Sequence, residues 1–295
     1  MDLIEQLSQG LADRVAAATA FTVGIHGAQR PRSGILYRPD VVVASEQVLA
    51  DDAPLIVRRG PVTVPARLAG RDPGTNVAVL KLETPLDGAL PVAATMSPRP
   101  GSLALVLGSD AEGGPTGRLA MVHAVGPAWH SMAGGRIDAL IRLDTRLNAD
   151  EGGPVLSLSG GLIGMSTSGP RRRTVVIPTA TIDRVIGPLL AEGRIPRGWL
   201  GIGLQPVMIP DGFRQSTGHQ NGLMVVSLVR GAPAETAGML PGDIVLEIAG
   251  VAVGHPRALA AAMGPERIGQ TVPVKLLRAG TLQTVSVTIA IRPAA

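Results

Sequence analysis

The chain carries few side chains that could do covalent or metal chemistry. It contains no cysteine, which excludes disulfides, thiolate nucleophiles and thiolate metal ligands. None of its histidines lies in a motif with a serine and a carboxylate. His123 and His130 flank Trp129, but two histidines without clear carboxylate partners are too few ligands for a metal site. The histidines are His26, His123, His130, His219 and His255. We therefore expect no metal, no cofactor and no histidine-based catalytic centre.

Short strands must position whatever chemistry the chain has. From Phe21 to about Val176, apolar runs alternate with Gly, Pro, Asp and Asn, a pattern typical of hairpin-rich all-β proteins. The runs include Phe21–His26, Val41–Ala44, Val62–Leu68, Val77–Leu82, Leu103–Leu107, Ala139–Leu143 and Gly161–Met165. Apolar residues at helical spacing predict an amphipathic helix over residues 2–18 and a second helix over Thr179–Leu190.

Three segments of this β-rich region resemble the HtrA/Deg family of trypsin-like serine proteases. Gln47 follows the strand Val41–Ala44, Asn76 precedes the strand Val77–Leu82, and Glu151 directly precedes a Gly-Gly-Pro run. The order of these contexts and their spacing match those of the family. The resemblance implies a chymotrypsin-like double β-barrel, in which Gln47, Asn76 and Glu151 take the positions of the catalytic histidine, aspartate and serine.

The chemistry of these replacements differs from that of the triad. A triad works because an imidazole, oriented by a carboxylate, removes the proton of a serine hydroxyl. The amide of Gln47 has no pKa suited to proton transfer near neutral pH, and Asn76 carries no charge that could stabilise an imidazolium. Glu151 is a poor nucleophile towards an amide. We therefore expect no catalytic residues at these positions and a protein that is not an enzyme.

The replaced residues could still interact with one another. Gln47 can donate its amide to Glu151 and accept a bond from Asn76, which would lock the site for stability. The preceding loop is also altered, because Ala149 stands where the family has a glycine whose backbone N–H turns inward.

The C-terminal part resembles a PDZ domain of the HtrA-attached kind, β-rich with two helices. The resemblance is carried by the segment 197–202 and by the helix-turn-strand segment 231–245. A glycine-bounded turn before a strand can hold a peptide's terminal carboxylate, and the peptide then adds to the strand edge. The residues expected to bind it are Trp199, Leu200, Gly201, Ile202, Leu204, Leu259 and Met263. The alternative is that these side chains only fill the domain core.

The predicted organisation is a helix at 1–20, a double barrel at 21–192, a linker at 193–198 and a PDZ domain at 199–295. The net charge of +4 and the 2% of aromatic residues argue against nucleic-acid binding. The basic run Arg171–Arg173 is expected to be a solvated loop, with a patch for an acidic partner as the alternative. The acidic start lacks the pattern of a secretory signal, and no apolar stretch is long enough to cross a membrane. We expect a cytoplasmic location.

These observations predict an HtrA-like adaptor that captures the C-terminal peptide of a partner protein. Two alternatives stay open: a regulatory subunit of an active HtrA-type protease, and a hydrolase or metal-binding protein with unorthodox chemistry at Glu151 or a histidine. The resemblance also implies a possible homotrimer. The N-terminal helix could serve that contact or pack on its own barrel.

Overall fold

The computed structural model describes residues 2–27, 30–49, 54–88, 91–131, 133–148, 150–169 and 173–293. Its contacts divide the chain into two compact units. The first contains residues 1–129 and 135–195, and the second contains residues 130–134 and 196–295. The expected mainly β architecture is confirmed, with two closed barrels in the first unit and a PDZ-type sheet in the second.

The first barrel closes in the strand order β1-β2-β3-β6-β5-β4. Its strands are β1 (Thr22–His26), β2 (Arg32–Arg38), β3 (Val41–Ser45), β4 (Leu55–Arg59), β5 (Val62–Asp72) and β6 (Val77–Leu82). Every residue of β3 is buried, because one face of the strand fills the barrel and the other packs against the rest of the unit. A short 3₁₀ turn, Glu46–Val48, follows β3.

The second barrel closes in the order β11-β14-β13-β12-β7-β8. Its strands are β7 (Leu103–Ser109), β8 (Pro115–Gly126), β11 (Leu140–Leu143), β12 (Pro154–Ser157), β13 (Leu162–Ser168) and β14 (Thr174–Pro178). The short strands β9 (Trp129–His130) and β10 (Arg136–Ile137) lie between β8 and β11 in the chain.

Two helices flank the barrels. Helix α1 (Leu3–Ala18) begins at a capping box, in which the Asp2 carboxylate accepts bonds from the N–H groups of Ile4 and Glu5. The second half of α1 packs on its own barrel, whereas Leu3 and Ile4 in its first turn are largely exposed. Helix α2 (Thr179–Glu192) lies against β5 and β6. Both predicted helices are thus confirmed.

The second unit is built on a sheet with the strand order β16-β17-β18-β20-β21. The strands of this sheet are β16 (Ile202–Met208), β17 (Asn221–Leu228), β18 (Ile244–Ile248), β20 (Thr271–Arg278) and β21 (Thr281–Thr288), and β19 (Val251–Ala252) pairs with β18. The strands β15 (Gly198–Trp199) and β22 (Ala290–Ile291) form a separate two-stranded sheet, and a 3₁₀ turn lies at Pro265–Arg267. Helices α4 (Pro233–Thr236) and α5 (Pro256–Ala262) match the prediction, and α3 (Asp211–Thr217) is an additional helix.

Candidate functional site

Three turns of the first unit bring Gln47, Asn76 and Glu151 together. Gln47 lies in the 3₁₀ turn after β3, Asn76 in the connection from β5 to β6, and Glu151 in the turn before β12. Asn76 has a φ of 56°, a left-handed conformation that asparagine adopts more readily than most residues with a Cβ. The residues are far apart in sequence, so their meeting is a product of barrel closure.

Glu151 is the buried centre of this cluster, and only 6% of its surface is exposed. Its carboxylate accepts hydrogen bonds from Gln47 Nε2, Thr167 Oγ1 (3.3 Å), Ser45 Oγ (3.4 Å), Ser168 N (3.1 Å) and Ser168 Oγ (2.7 Å). Neutral donors therefore surround both carboxylate oxygens, and they replace the water that a buried charge loses.

The predicted amide chain is present only in its first half. Gln47 donates to Glu151 as expected, and its amide also contacts Thr167 Oγ1 at 3.1 Å. Asn76 does not donate to the Gln47 side chain. Its Oδ1 accepts the backbone N–H of Gln47 at 2.9 Å, and its Nδ2 donates to Ser45 Oγ and Thr167 Oγ1. The positive φ of Asn76 and the nearness of these hydroxyls direct the amide away from Gln47.

Backbone groups close the turn that contains Glu151. The N–H of Glu151 donates to Asn148 O at 3.4 Å, that of Gly152 to Ser166 O at 2.9 Å, and that of Gly153 to Asp150 O at 3.1 Å. The buried Asp150 carboxylate is bonded by Arg118 Nε at 2.7 Å. The N–H groups of Glu151, Gly152 and Gly153 thus bond within the protein. Ala149 lies outside the described residues, as do Arg171 and Arg172 of the basic run.

Sequence reasoning missed Thr167 and Ser168. Both lie at the end of β13 and contact the Glu151 carboxylate. The one signal for them was the run of hydroxyl residues Ser166–Ser168 that follows the apolar part of the strand. Nothing in their local sequence indicates which turn they face.

Chemically, this cluster can hold one carboxylate in a fixed position. The amides of Gln47 and Asn76 can donate and accept hydrogen bonds but cannot exchange protons near neutral pH. Glu151 is the titratable group among the three. No group of three or more His, Cys, Asp or Glu residues suited to a metal ion occurs among the described residues.

A second candidate site is a cavity of about 260 Å³ in the second unit. Six of the seven residues expected to bind peptide line it: Trp199, Leu200, Gly201, Ile202, Leu259 and Met263. Leu204 is not one of the lining residues and packs against the core of the unit. The pairing of β16 with β17 shifts register between Gly203 and Leu204, which is where the expected alternation ends.

The alternative interpretation of these residues as core is correct in part. Leu200 and Met263 are buried in the core of the unit, with 3% and 9% of their surfaces exposed, and they also line the cavity. Leu259 is partly buried and packs against the same core. The core and the cavity wall therefore share side chains.

The loop before β16 bonds to the rest of the second unit through two of its carbonyl groups. The carbonyl of Leu200 accepts from Ala234 N at 3.0 Å and that of Gly201 from Val229 N at 2.8 Å. In a trans peptide the N–H points opposite to the carbonyl, so the N–H groups of Gly201 and Ile202 point away from those partners. Gly201 has a φ of +74°, and an added Cβ would lie 2.2 Å from the Cβ of Ala232. Glycine is required there.

Comparisons with known proteins support both domains. Residues 32–165 match the model of the trypsin-like peptidase domain, and residues 200–289 match that of the PDZ domain. A probable periplasmic serine endoprotease DegP-like from Rhizobium meliloti is 30% identical over 90% of this chain and 55% of its own length. The homologous protein of Brucella suis is 30% identical over 90% of this chain and 54% of its own. The chain thus spans about half the length of these relatives.

Solved structures share the fold. The HtrA-type protease AlgW with decapeptide has a TM-score of 0.76 at 22% identity, covering 97% of this chain and 99% of its own. A serine endoprotease from Yersinia pestis has a TM-score of 0.73 at 24% identity, covering 96% of this chain and 98% of its own.

The prediction that the chain is not an enzyme is contradicted by these comparisons, since the relatives are named serine endoproteases. That prediction rested on residue types at three positions. Residues of these types exclude catalysis by an imidazole-activated serine. They do not exclude a mechanism in which a carboxylate activates a water molecule.

The predicted cytoplasmic location is also wrong, because the relatives are named periplasmic. A chain without cysteine is compatible with either compartment, so composition did not decide between them. Among the described residues, no helix is long and apolar enough to cross a membrane.

A double barrel of the trypsin type comes first and a PDZ domain follows it on the same chain, with relatives named DegP-like matching across both. The chain therefore contains a trypsin-like peptidase domain followed by a PDZ domain, and it is similar to the DegP-like serine endoproteases across both.

Proposed function

We propose that this protein binds partner proteins by their C-terminal peptides, in the cavity between the loop Trp199–Ile202 and the wall formed by Leu259 in helix α5 and by Met263 directly after it. The observation that carries the proposal is the position of this cavity beside the edge strand β16. An edge strand has unpaired backbone groups along one side, which an extended peptide can pair with.

The chemistry of the cavity defines the class of ligand. A peptide would extend the sheet next to β16, and its terminal carboxylate would accept bonds from the N–H groups of Gly201 and Ile202. Its last side chain would contact Leu200, Leu259 and Met263, which are all apolar. The ligand is therefore a peptide that ends in an apolar residue. The solved AlgW structures with a tripeptide and a decapeptide support peptide binding by this fold.

A peptide library tests this proposal directly. Fluorescein-labelled decapeptides with one common body and varied last three residues are titrated against the full chain, and binding is measured by anisotropy. Peptides ending in Leu, Val, Met or Phe should bind more tightly than those ending in Asp or Lys.

Two matched variants locate the binding. Leu259→Gln places a polar group in the cavity wall and should weaken binding about tenfold, since a buried polar group loses its bonds to water. Leu282→Gln makes the same change on β21, outside the cavity, and should leave binding unchanged. Absence of binding by every peptide, or equal effects of the two variants, would contradict the proposal.

Peptide cleavage is the second candidate function, and the names of the relatives favour it. In this chain a hydrolytic route would start at Glu151, because a carboxylate can take a proton from an attacking water. Such a water would have to displace one of the donors that now surround this carboxylate.

An assay on unfolded casein separates the two functions. Cleavage by the wild type that is lost in Glu151→Gln would support hydrolysis through this carboxylate. Cleavage no faster than in buffer, or equal in both proteins, would contradict it. Neither result changes the conclusion that is drawn from the peptide-binding assay.

A further inference from the structure

Among the residues that the structure describes, the cavity that we propose for peptide binding is lined by two arginines, Arg197 and Arg292, and by no acidic residue. Arg197 belongs to the segment at the start of the domain's sequence that carries the PDZ resemblance, whereas Arg292 lies near the end of that sequence. Arg292 directly follows the last short strand, β22. Its presence in the cavity is therefore unexpected from sequence alone.

The backbone holds Arg292 in a defined position. Strand β22 pairs antiparallel with β15, so that Gly198 faces Ile291 and Trp199 faces Ala290. The N–H of Arg292 then donates to Arg197 O at 2.8 Å. This pairing places Arg292 next to the strand that leads into the loop Trp199–Ile202.

The charge of Arg292 has no counter-ion among the described residues. Other arginines of this unit do have one: Arg278 bonds the buried Asp243 at 2.7 Å, and Arg214 bonds Asp211 at 2.5 Å. The side chain of Arg292 is exposed and forms no ion pair or hydrogen bond with a described residue. A cation beside a binding cavity attracts an anionic group of the ligand.

We propose that Arg292 is a specificity-determining residue that pairs with the free α-carboxylate of the bound peptide. This inference rests on the proposed peptide binding and adds a residue to it. The N–H groups of the loop would donate hydrogen bonds to one carboxylate oxygen, and the guanidinium of Arg292 would donate to the other. Arg292 thereby makes the site selective for a true chain end over an internal or amidated segment.

The test combines a variant with a modified ligand. The decapeptide that binds the wild type most tightly in the library is made with a free carboxylate and with a C-terminal amide, and both are titrated against wild type and Arg292→Gln. The dissociation constant of the free-acid peptide should be about three- to tenfold higher for the variant than for the wild type, as expected when a partly exposed charge-assisted hydrogen bond is lost. The dissociation constant of the amidated peptide should be the same for both proteins. The loss should shrink at high salt, because the pair is exposed to solvent.

Two further variants control for fold and for general charge. Arg292→Lys keeps the charge but not the planar fork, and it should recover part of the affinity. Arg230→Gln removes one positive charge from an exposed position outside the cavity and should have no effect. Circular dichroism checks that each variant is folded.

Equal losses for acid and amide would show that Arg292 only supports the loop, and no loss for the acid would show that it is not used. Either result overturns the inference while peptide binding stands. Failure of every library peptide to bind the wild type would overturn the proposed function, and the inference with it.

Discussion

At the scale of single residues, Glu151 is the most constrained side chain of the double barrel. It is buried, it carries a carboxylate, and donors from three other segments converge on it. Hydrogen bonds to an ionised group are stronger than neutral ones, and a buried donor that loses its partner is costly. The cluster therefore contributes to the stability of the barrels whatever chemistry occurs there.

Glu151→Ala should lower the free energy of unfolding by about 2 to 3 kcal/mol, because the donors at Ser168 and Gln47 would lose their acceptor. The measurement is the melting temperature by differential scanning calorimetry, with a drop of several degrees expected in the transition of the first unit. Glu83→Ala is the control, since Glu83 is exposed and its side chain has no described partner. Equal melting temperatures of the two variants would show that the cluster does not stabilise the fold.

At the scale of elements, tight turns rather than long strands position the candidate sites. Gly152 shows this most clearly, since it follows Glu151 with a φ of +93°. An added Cβ would lie 2.3 Å from Ser33 O, far closer than van der Waals contact allows. The turn that holds Glu151 therefore depends on a glycine at position 152.

Gly152→Ala should destabilise the first unit by more than about 2 kcal/mol, through both the positive φ and the clash. Gly10→Ala is the matched change in helix α1, where an added Cβ meets nothing within 4 Å. It should stabilise the protein by up to about 1 kcal/mol, because alanine favours a helix interior. Chemical denaturation of both variants checks the signs, and a stabilising Gly152→Ala would disprove the strain argument.

At the scale of the whole molecule, each unit contains a carboxylate whose pKa is lowered. Burial raises the pKa of Asp138, but hydrogen bonds from Thr181 and Arg184 outweigh it and bring the pKa below its ordinary range. In the second unit, the hydrogen bond from His219 lowers the pKa of Glu247, and Lys275 adds to the effect. Both groups hold their protons less tightly in the folded state than in the unfolded chain.

Acid should therefore destabilise both units. A carboxylate with a lowered folded-state pKa contributes stability above its unfolded pKa of about 4, and this stability is lost as the pH falls through the folded value. Asp138→Asn should reduce the stability of the first unit by about 1 to 2 kcal/mol at pH 7 and flatten its dependence on pH below about 5. Melting temperatures between pH 7 and pH 2 measure this slope.

Asp87→Asn is the control for this acid effect, since Asp87 is exposed and forms no described ion pair. Its pH slope should equal that of the wild type. An unchanged slope in Asp138→Asn would show that the Asp138 cluster contributes no pH-dependent stability.

Short stretches of sequence determined the secondary structure of this protein and its resemblance to a family. Apolar runs closed by glycine, proline and asparagine predicted the strands, spacing predicted α1 and α2, and the motifs around Gln47, Asn76 and Glu151 indicated the family. These features could be predicted because each depends on neighbours within a few residues of the chain. The cavity wall at Leu259 and Met263 could also be predicted, because the two residues are four positions apart and so lie about one helical turn from each other.

Only the tertiary structure decided which groups meet. Thr167 and Ser168 face Glu151 because barrel closure brings β13 beside that turn, and Arg292 reaches the cavity because β22 pairs with β15. Leu204 lies outside the cavity because a register shift ends the alternation that sequence predicts for β16. Register between distant strands depends on the packing of a whole barrel or sheet, and no short segment of sequence contains that information.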